Sequence, residues 1–267
     1  MPSVRGAGDL GRSALTPATK ARRPPPTPAL RARARKTLAW LEKAHPDWGP
    51  TLEFADPLQL LVATILAAQA RDERINEVTR TVVFPKYRTA AAYAGASRAV
   101  LERELKPTGF FRQKAKAVQG AAQAIVERFG GEVPGDMDGL VSLPGVGRKT
   151  ASIVLGGAFA VPSIAVDRHV VRVAGRLRLT SSDDPEAIEA DLMALLPKAQ
   201  WVKATWTLVL HGRRTCRPVP ECPACPVAEL CPYPKKTVSA ALPSGEAARR
   251  RAPTAPRRRG APRPAGG

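Results

Sequence analysis

The segment that decides the fold is Asp136–Phe159, which reads DMDGLVSLPGVGRKTASIVLGGAF. Pro144 ends a short helical pattern, two glycines make a turn, and a second helical pattern starts at about Arg148. Gly145 and Gly147 permit a left-handed backbone and a close approach to another surface, because neither carries a Cβ. The free N–H groups of such a turn, beside the positive end of the second helix, suit a phosphate. The pattern predicts a helix–hairpin–helix that grips the DNA backbone without reading sequence. The alternative is a plain corner between two helices.

Lys149 lies in the first turn of the second helix. The helix dipole disfavours an ammonium there, and the neighbouring Arg148 adds a second positive charge. Both effects favour the neutral amine, which can attack C1′ of a sugar and form a Schiff base. Lys149 is therefore a candidate nucleophile, although a lysine at a helix start can equally be a simple phosphate contact.

Asp167 closes an apolar run and precedes a helical pattern that begins at Arg168. A carboxylate in that place can cap the helix, and it can also stabilise positive charge that develops on a sugar. The two roles are compatible. Arg168, Arg172 and Arg176 recur at every fourth position. This basic stripe either follows a phosphate strand or forms a solvated helix face.

The cysteines of the chain all lie in one short segment, as Cys216, Cys222, Cys225 and Cys231. No further cysteine could pair with them and no secretory segment is visible, which argues against disulfides. Structural zinc usually uses two close cysteine pairs, and only one is present here. Prolines follow three of the cysteines, which suits a loop around an iron–sulfur centre, and four cysteines can hold a [4Fe–4S] cluster. We therefore predict that cofactor. Arginines near the loop entry are candidates for meeting DNA: Arg213, Arg214 and Arg217.

Helical patterns cover the middle of the chain, and no convincing strand is indicated. Asp56-Pro57 and Asp184-Pro185 are helix start signals, the first of which opens an apolar run to Ala70. An amphipathic stretch around Leu38 ends before Pro46. Further patterns cover about 72–84, 97–105, 111–129, 148–159, 168–178 and 201–212. The sequence predicts an all-α, two-lobed protein of about ten helices, in which both ends of the chain can join one lobe.

The positive charge is concentrated at the two ends of the chain. The 267 residues carry a net charge of +19, of which residues 1–36 and 235–267 contribute +8 each. These Pro/Ala/Arg-rich ends are predicted to be unstructured tails that bind a polyanion or are merely solvated. Residues 1–36 also resemble an organelle transit peptide, but the prolines at 24–26 argue against an amphipathic transit helix. No run of 18 apolar residues is present, so we expect no membrane span and a reducing, cytoplasmic location.

Several motifs in combination resemble the endonuclease III family. They are Leu143–Ala151 (LPGVGRKTA), Ala165–His169 (AVDRH), Leu210–Arg213 (LHGR) and the four cysteines. The resemblance runs from about Pro57 to Cys231. It implies a helix–hairpin–helix DNA glycosylase fold in which a six-helix barrel lobe and a [4Fe–4S] cluster lobe flank a DNA groove. It also implies a bifunctional N-glycosylase and abasic-site lyase that acts on oxidised pyrimidines.

The resemblance assigns roles to individual residues. Lys149 matches the nucleophile, Asp167 the catalytic carboxylate, and the four cysteines the cluster ligands. Gln69 matches the residue that fills the hole left by a flipped nucleotide. Phe110 stands where relatives insert a leucine into the duplex. With the hairpin and the start of the next helix, the expected DNA contacts are Gln69, Phe110, Gly145, Gly147, Arg148 and Arg168.

The expected organisation follows from the same resemblance. A basic tail (1–28) precedes the first part of the cluster lobe (29–56), the barrel lobe follows (57–159, with the hairpin at 136–159), residues 160–237 complete the cluster lobe, and a second basic tail ends the chain (238–267). The expected partner is double-stranded DNA that contains damaged bases or abasic sites, and the protein is expected to be a monomer.

Three departures from the family pattern leave the preferred base open. Only five residues separate Cys216 from Cys222, where relatives have six, Arg71 replaces a small polar residue, and Phe110 replaces a leucine. Two other functions were weighed. A mismatch-specific adenine glycosylase generally lacks the lysine and carries a further C-terminal domain. A non-catalytic DNA-binding module would not need the pair Lys149 and Asp167.

Overall fold

The structure, a computed structural model, describes residues 25–238, and this part of the chain is entirely helical. The all-α prediction is confirmed. The helices are α1 Pro28–Ala44, α2 Pro57–Leu66, α3 Asp72–Val78, α4 Phe84–Lys86, α5 Ala90–Ala94, α6 Arg98–Leu105, α7 Phe111–Phe129, α8 Met137–Val141, α9 Arg148–Ala158, α10 Arg168–Arg176, α11 Pro185–Leu195 and α12 Trp201–Arg214. A π-helical segment, Thr79–Val83, joins α3 to α4, and 3₁₀ turns lie at Lys106–Thr108, Lys198–Gln200 and Cys222–Ala224.

Two separate hydrophobic cores divide the helices into two lobes. The first is built by α2 to α9, with fully buried side chains such as Leu60, Ile75 and Ile125. The second joins α1 to α10, α11 and α12, and Cys216, Cys225 and Cys231 pack against it. The first helix of the chain therefore belongs with the last three.

The basic residues before Leu38 are more ordered than the sequence suggested. Helix α1 begins at Pro28, because the Thr27 hydroxyl accepts the Leu30 N–H at 3.2 Å and proline occupies the first turn. Ala34 of this helix is buried. The basic composition of residues 1–36 therefore extends into α1, whereas the predicted boundary between tail and cluster lobe at residue 28 lies at the start of this helix. The rest of the predicted tails, 1–24 and 239–267, lies outside the described residues.

Two predicted helix starts are confirmed and one predicted helix end is wrong. Asp56 and Asp184 cap α2 and α11 through the N–H groups of Gln59 and Ala187. Helix α2 ends at Leu66 instead of continuing to Ala70.

Glycines bring the helices that carry the candidate site into close contact. A Cβ on Gly157 of α9 would lie 2.7 Å from the Cδ2 of Leu60 on α2, so the Leu60 side chain packs directly on the α9 backbone. A Cβ on Gly212 of α12 would lie 2.9 Å from the Cβ of His169 on α10. Helix α9 is thereby fixed to the first core and α10 to the second. Within residues 25–238, none of the helices has the length and apolar character that crossing a membrane requires.

Candidate active site

The turn between α8 and α9 has the predicted hairpin form. Gly145 has a φ of +77°, and a Cβ there would lie 2.6 Å from Ala117 of α7. Any other residue would be strained and would push the turn off that helix. Gly147 has an ordinary negative φ and caps α9, so the expected left-handed backbone occurs at Gly145 alone. Nothing lies within 4 Å of a Cβ built on Gly147, which leaves its face of the turn open to a ligand backbone.

Lys149 lies in the first turn of α9 with an exposed side chain. Among the described residues, its amine has no hydrogen-bond or ion-pair partner. The side chain is therefore free to meet a substrate.

Arg148 is bound to the other lobe. Its Nε donates to Glu189 Oε2 of α11 at 2.6 Å and its Nη2 donates to Oε1 at 3.2 Å. The Glu189 side chain is only 6% exposed, and the hydrogen bond to it raises the pKa of Arg148. Since this charge is balanced, the expected repulsion of Lys149 by Arg148 is weakened. A DNA contact by Arg148 stays a prediction, because the guanidinium is half exposed but already paired.

Asp167 caps α10, as one of its two predicted roles requires. Its Oδ1 accepts the N–H groups of His169 and Val170 at 2.8 and 2.9 Å. No hydrogen bond to Oδ2 comes from the described residues, and the side chain is half-buried. The cap fixes the carboxylate and leaves one oxygen for a substrate.

The basic stripe of α10 is neither a phosphate track nor a solvated face. Arg172 donates to the carbonyl oxygens of Cys216 and Gly212, both at 2.9 Å. Arg176 donates to the carbonyl oxygens of Arg217 and Pro218 at 2.6 and 2.8 Å. Both guanidinium groups therefore hold the cysteine loop. Arg168 alone of the three is exposed, and its DNA contact stays a prediction.

The predicted duplex-contacting residues Gln69 and Phe110 share an unusual backbone. Both have left-handed φ values, +54° and +47°, and both side chains are exposed, Phe110 to 59%. A left-handed backbone is unfavourable for residues with a Cβ, and it recurs at functional sites. The turn at Gln69 also explains the early end of α2.

The three arginines expected to meet DNA at the loop entry are all engaged in ion pairs. Arg213 donates to Asp72 Oδ2 of α3 at 3.0 Å, Arg214 binds Asp47, and Arg217 binds Glu221. The Arg213 pair joins the two lobes where the chain leaves Gln69. The sequence offered no signal for the partners of Arg213 and Arg214, which lie 141 and 167 positions away, whereas Glu221 lies four positions after Arg217.

The four cysteines line one cavity and are all half-buried free thiols. Arg176 Nη1 lies 3.4 Å from Cys216 Sγ, and His211 Nε2 lies 3.8 Å from Cys225 Sγ. The apolar part of the cavity wall is formed by Leu177, Val227 and Ala228. In residues 25–238, no three side chains of His, Cys, Asp or Glu converge closely enough to bind a single metal ion.

His211 is a functional candidate that sequence reasoning missed. It is 1% exposed, and its Nδ1 lies 3.4 Å from Nε2 of the buried His45. Burial, with the nearby His45, lowers the pKa of His211 to about 4, so the ring is neutral at physiological pH. Its place in the motif Leu210-His-Gly-Arg213 was the available signal.

Comparison with known proteins agrees with this geometry. Residues 62–198 match the HhH-GPD superfamily base excision DNA repair protein family. An endonuclease III of Synechocystis sp. is 46% identical over 202 residues, which are 75% of this chain and 92% of that protein. Two solved structures each have a TM-score of 0.73 and 38% identity and cover 76% of this chain. One is a trapped endonuclease III–DNA covalent intermediate with an estranged adenine, of which 96% is covered, and the other is a non-covalent endonuclease III–DNA complex, of which 95% is covered.

Proposed function

The chain belongs to the endonuclease III family of the HhH-GPD superfamily, and from this premise we propose which of its residues perform base excision. The protein is a base excision repair DNA glycosylase and abasic-site lyase, and its partner is DNA. Its substrates are oxidised pyrimidines in double-stranded DNA, met in a bacterial cytoplasm. The limits of the lobes are those given by the sequence, with the first cluster-lobe segment beginning at Pro28.

Lys149 is the nucleophile of this reaction. Its amine attacks C1′ of the damaged nucleotide, the bond from C1′ to the base breaks, and the base leaves with its electron pair and a proton. The sugar ring then opens: the nitrogen lone pair forms the C1′=N bond as the bond from C1′ to O4′ breaks, and O4′ leaves with that electron pair and takes up the remaining amine proton, which yields a Schiff base at C1′. Removal of a proton from C2′ then expels the 3′ phosphate by β-elimination, which cuts the strand. The single observation that carries the assignment is an exposed, unpartnered lysine beside an open glycine turn suited to a phosphate.

Asp167 stabilises the positive charge that develops on the sugar. Its oxygen Oδ1 is held by two backbone N–H groups, so the carboxylate is oriented before the substrate arrives. Such a pre-organised charge stabilises the transition state more strongly in a site from which water is excluded. Gln69 and Phe110 enter the duplex around the flipped nucleotide, and the hairpin glycines bind its backbone.

The four cysteines hold a [4Fe–4S] cluster. A zinc ion with bonds of about 2.3 Å to sulfur needs its ligand sulfurs about 4 Å apart, whereas each cysteine of a cluster binds a different iron. A cavity lined by all four cysteines, with Arg176 3.4 Å from Cys216 Sγ, fits a cluster that carries negative charge on its sulfurs. Arg176 and His211 then lie against ligand sulfurs, where hydrogen bonds stabilise their negative charge. The four cysteines would hold the cluster within the loop that follows α12, where its binding would fix the conformation of that loop.

Borohydride trapping on an abasic duplex tests the nucleophile. Wild-type protein is expected to form a covalent adduct, and Lys149→Gln none, because glutamine cannot form an imine. Lys149→Gln should still bind abasic DNA within a few-fold of wild type. The matched control is Lys116→Gln, an exposed lysine of α7, which should trap normally.

The same experiment separates the alternatives. Covalent trapping by Lys149→Gln would mean that another amine is the nucleophile. A wild-type protein that excises adenine from a mismatch but never traps would be an adenine glycosylase, and one that binds without excision or trapping would be a non-catalytic module.

A further inference from the structure

Lys114 of α7 is a buried lysine that the proposed chemistry does not use. Lys114 is only 4% exposed, and its Nζ donates to the carbonyl oxygen of Thr108 at 2.7 Å. Among the described residues no carboxylate pairs with it, and burial lowers its pKa. A buried ammonium that lacks a counter-charge is costly, and an apolar side chain of the same length would fill the space without that cost. Stability alone therefore gives no reason for a lysine here.

Lys114 donates two hydrogen bonds to the turn that presents Phe110. The side chain binds the carbonyl of Thr108, and the backbone N–H binds the carbonyl of Phe110 at 3.1 Å. Thr108 is 3% exposed and its hydroxyl donates to the Leu105 carbonyl at 2.7 Å, so the start of the turn is fixed from two sides. Gly109 follows with a φ of +69°.

The conformation of Phe110 is energetically unfavourable in the free protein for two reasons. Its backbone is left-handed, which a residue with a Cβ avoids, and 59% of its aromatic side chain meets solvent. Without restraint, the turn would relax toward an ordinary backbone or fold the ring against the surface. The bond from Lys114 to Thr108 opposes this relaxation, because the carbonyl it holds belongs to the residue just before the flexible Gly109.

We propose that Lys114 is a positioning residue that holds Phe110 in the conformation that enters the duplex. This inference rests on the proposed role of Phe110 as the inserting side chain. Phe110, the inserting side chain, is called the wedge below. A wedge that is already fixed before binding loses little conformational freedom when it enters DNA, so more of the binding energy is left for unstacking the damaged base.

The test compares Lys114→Met with Lys116→Met on the same helix. Both variants lose one positive charge, but only the first loses the bond to the turn, since Lys116 is exposed. The substrate is a duplex that carries one thymine glycol, an oxidised pyrimidine, and excision is followed under single turnover. Lys114→Met should excise about tenfold more slowly, as expected for the loss of a hydrogen bond to a charged group, while Lys116→Met should match wild type.

A double-mutant cycle with Phe110→Ala asks whether Lys114 acts through the wedge. If it does, adding Lys114→Met to Phe110→Ala slows excision no further. A second readout is 2-aminopurine placed opposite the lesion, measured in a Lys149→Gln background so that no chemistry occurs. Its fluorescence increase on binding should shrink in Lys114→Met and stay unchanged in Lys116→Met. Lys114→Gln, which keeps a donor with a shorter reach, replaces Lys114→Met in the cycle if the latter does not fold.

The outcomes separate this inference from the function on which it rests. If Phe110→Ala is slow and Lys114→Met is as fast as wild type, the inference is wrong and the wedge stands. If the two substitutions slow excision independently, Lys114 has a general structural role and the inference is also wrong. If Phe110→Ala excises normally, the wedge assignment itself fails, and the inference fails with it.

Discussion

Asp167 uses one carboxylate oxygen to cap α10, and its proposed role toward the substrate falls to the carboxylate charge that the cap holds in place. Asp167→Asn keeps the cap acceptor but removes the charge, so we expect excision to slow by about two to three orders of magnitude. The free energy of unfolding should fall by only about 0.5 kcal/mol, because asparagine is an equally good cap and only the charge–dipole attraction is lost. Single-turnover excision and urea unfolding measure the two effects.

Asp56 is the matched control, since it caps α2 in the same way. Asp56→Asn should cost a similar amount of stability and leave excision unchanged. A fully active Asp167→Asn would reduce Asp167 to a structural cap.

Sequence reasoning identified the side chains that carry charge at the candidate site, but not their partners. The motif around Lys149 and Asp167 is local, so its residue types and helix starts could be predicted. The partner of Arg148 lies 41 positions away and that of Arg172 lies 44 positions away. Such pairings arise only when helices pack, which explains why the sequence could not show that Arg172 binds the cysteine loop or that Arg148 is paired with Glu189.

At the scale of helices, the ion pair between α9 and α11 joins the helix that carries Lys149 to the opposite lobe. Glu189→Gln removes the carboxylate that Arg148 binds directly, although Glu186 and Asp138 lie nearby and half of the Arg148 side chain still reaches water. We expect a loss of about 1–3 kcal/mol in the free energy of unfolding, measured with urea. Glu221→Gln, in the exposed pair with Arg217, should cost less than about 0.5 kcal/mol. Equal losses in the two variants would show that burial of Glu189 adds nothing to the stability that its ion pair contributes.

The loop that follows α12 carries a prediction about metal content. Protein purified without oxygen should be yellow-brown, absorb broadly near about 400 nm and contain about four irons per chain. Cys225→Ala should lose most of the colour and iron, because each cysteine serves one iron. Colourless wild-type protein with one tightly bound zinc would overturn the assignment.

Long helices were easier to predict than short ones. The 19 residues of α7 and the 11 of α9 have enough apolar periodicity to be visible in the sequence. The five residues of α5, four of them alanine, have too little pattern and were missed. Helix α2 was predicted too long, because nothing in the apolar run indicates the left-handed backbone at Gln69 with which that run ends.

At the scale of the whole molecule, the charge of the chain lies mainly in its two ends. Deleting residues 1–24 and 239–267, which leaves the cap of α1 intact, should weaken binding to undamaged duplex. Each lost phosphate contact should lower the log–log salt slope by about 0.9. Excision at saturating substrate should hardly change, because Lys149 and Asp167 lie in the folded part of the chain.

A salt titration of duplex affinity compares the trimmed protein with the full chain. A full-length variant with glutamine in place of the arginines of both ends controls for length. Equal slopes for all three proteins would assign DNA capture to the hairpin and the folded lobes alone.

The placement of α1 with α11 and α12 has a consequence during synthesis. The ribosome makes α1 first, but α12 ends 170 positions after α1 does, at Arg214. At ordinary rates of protein synthesis this is a delay of roughly 10 to 30 s. The barrel lobe is continuous in the chain and can complete its core within that time. We therefore expect the nascent first helix to expose its apolar face to chaperones throughout the delay, so that the first helix made is the last to be placed.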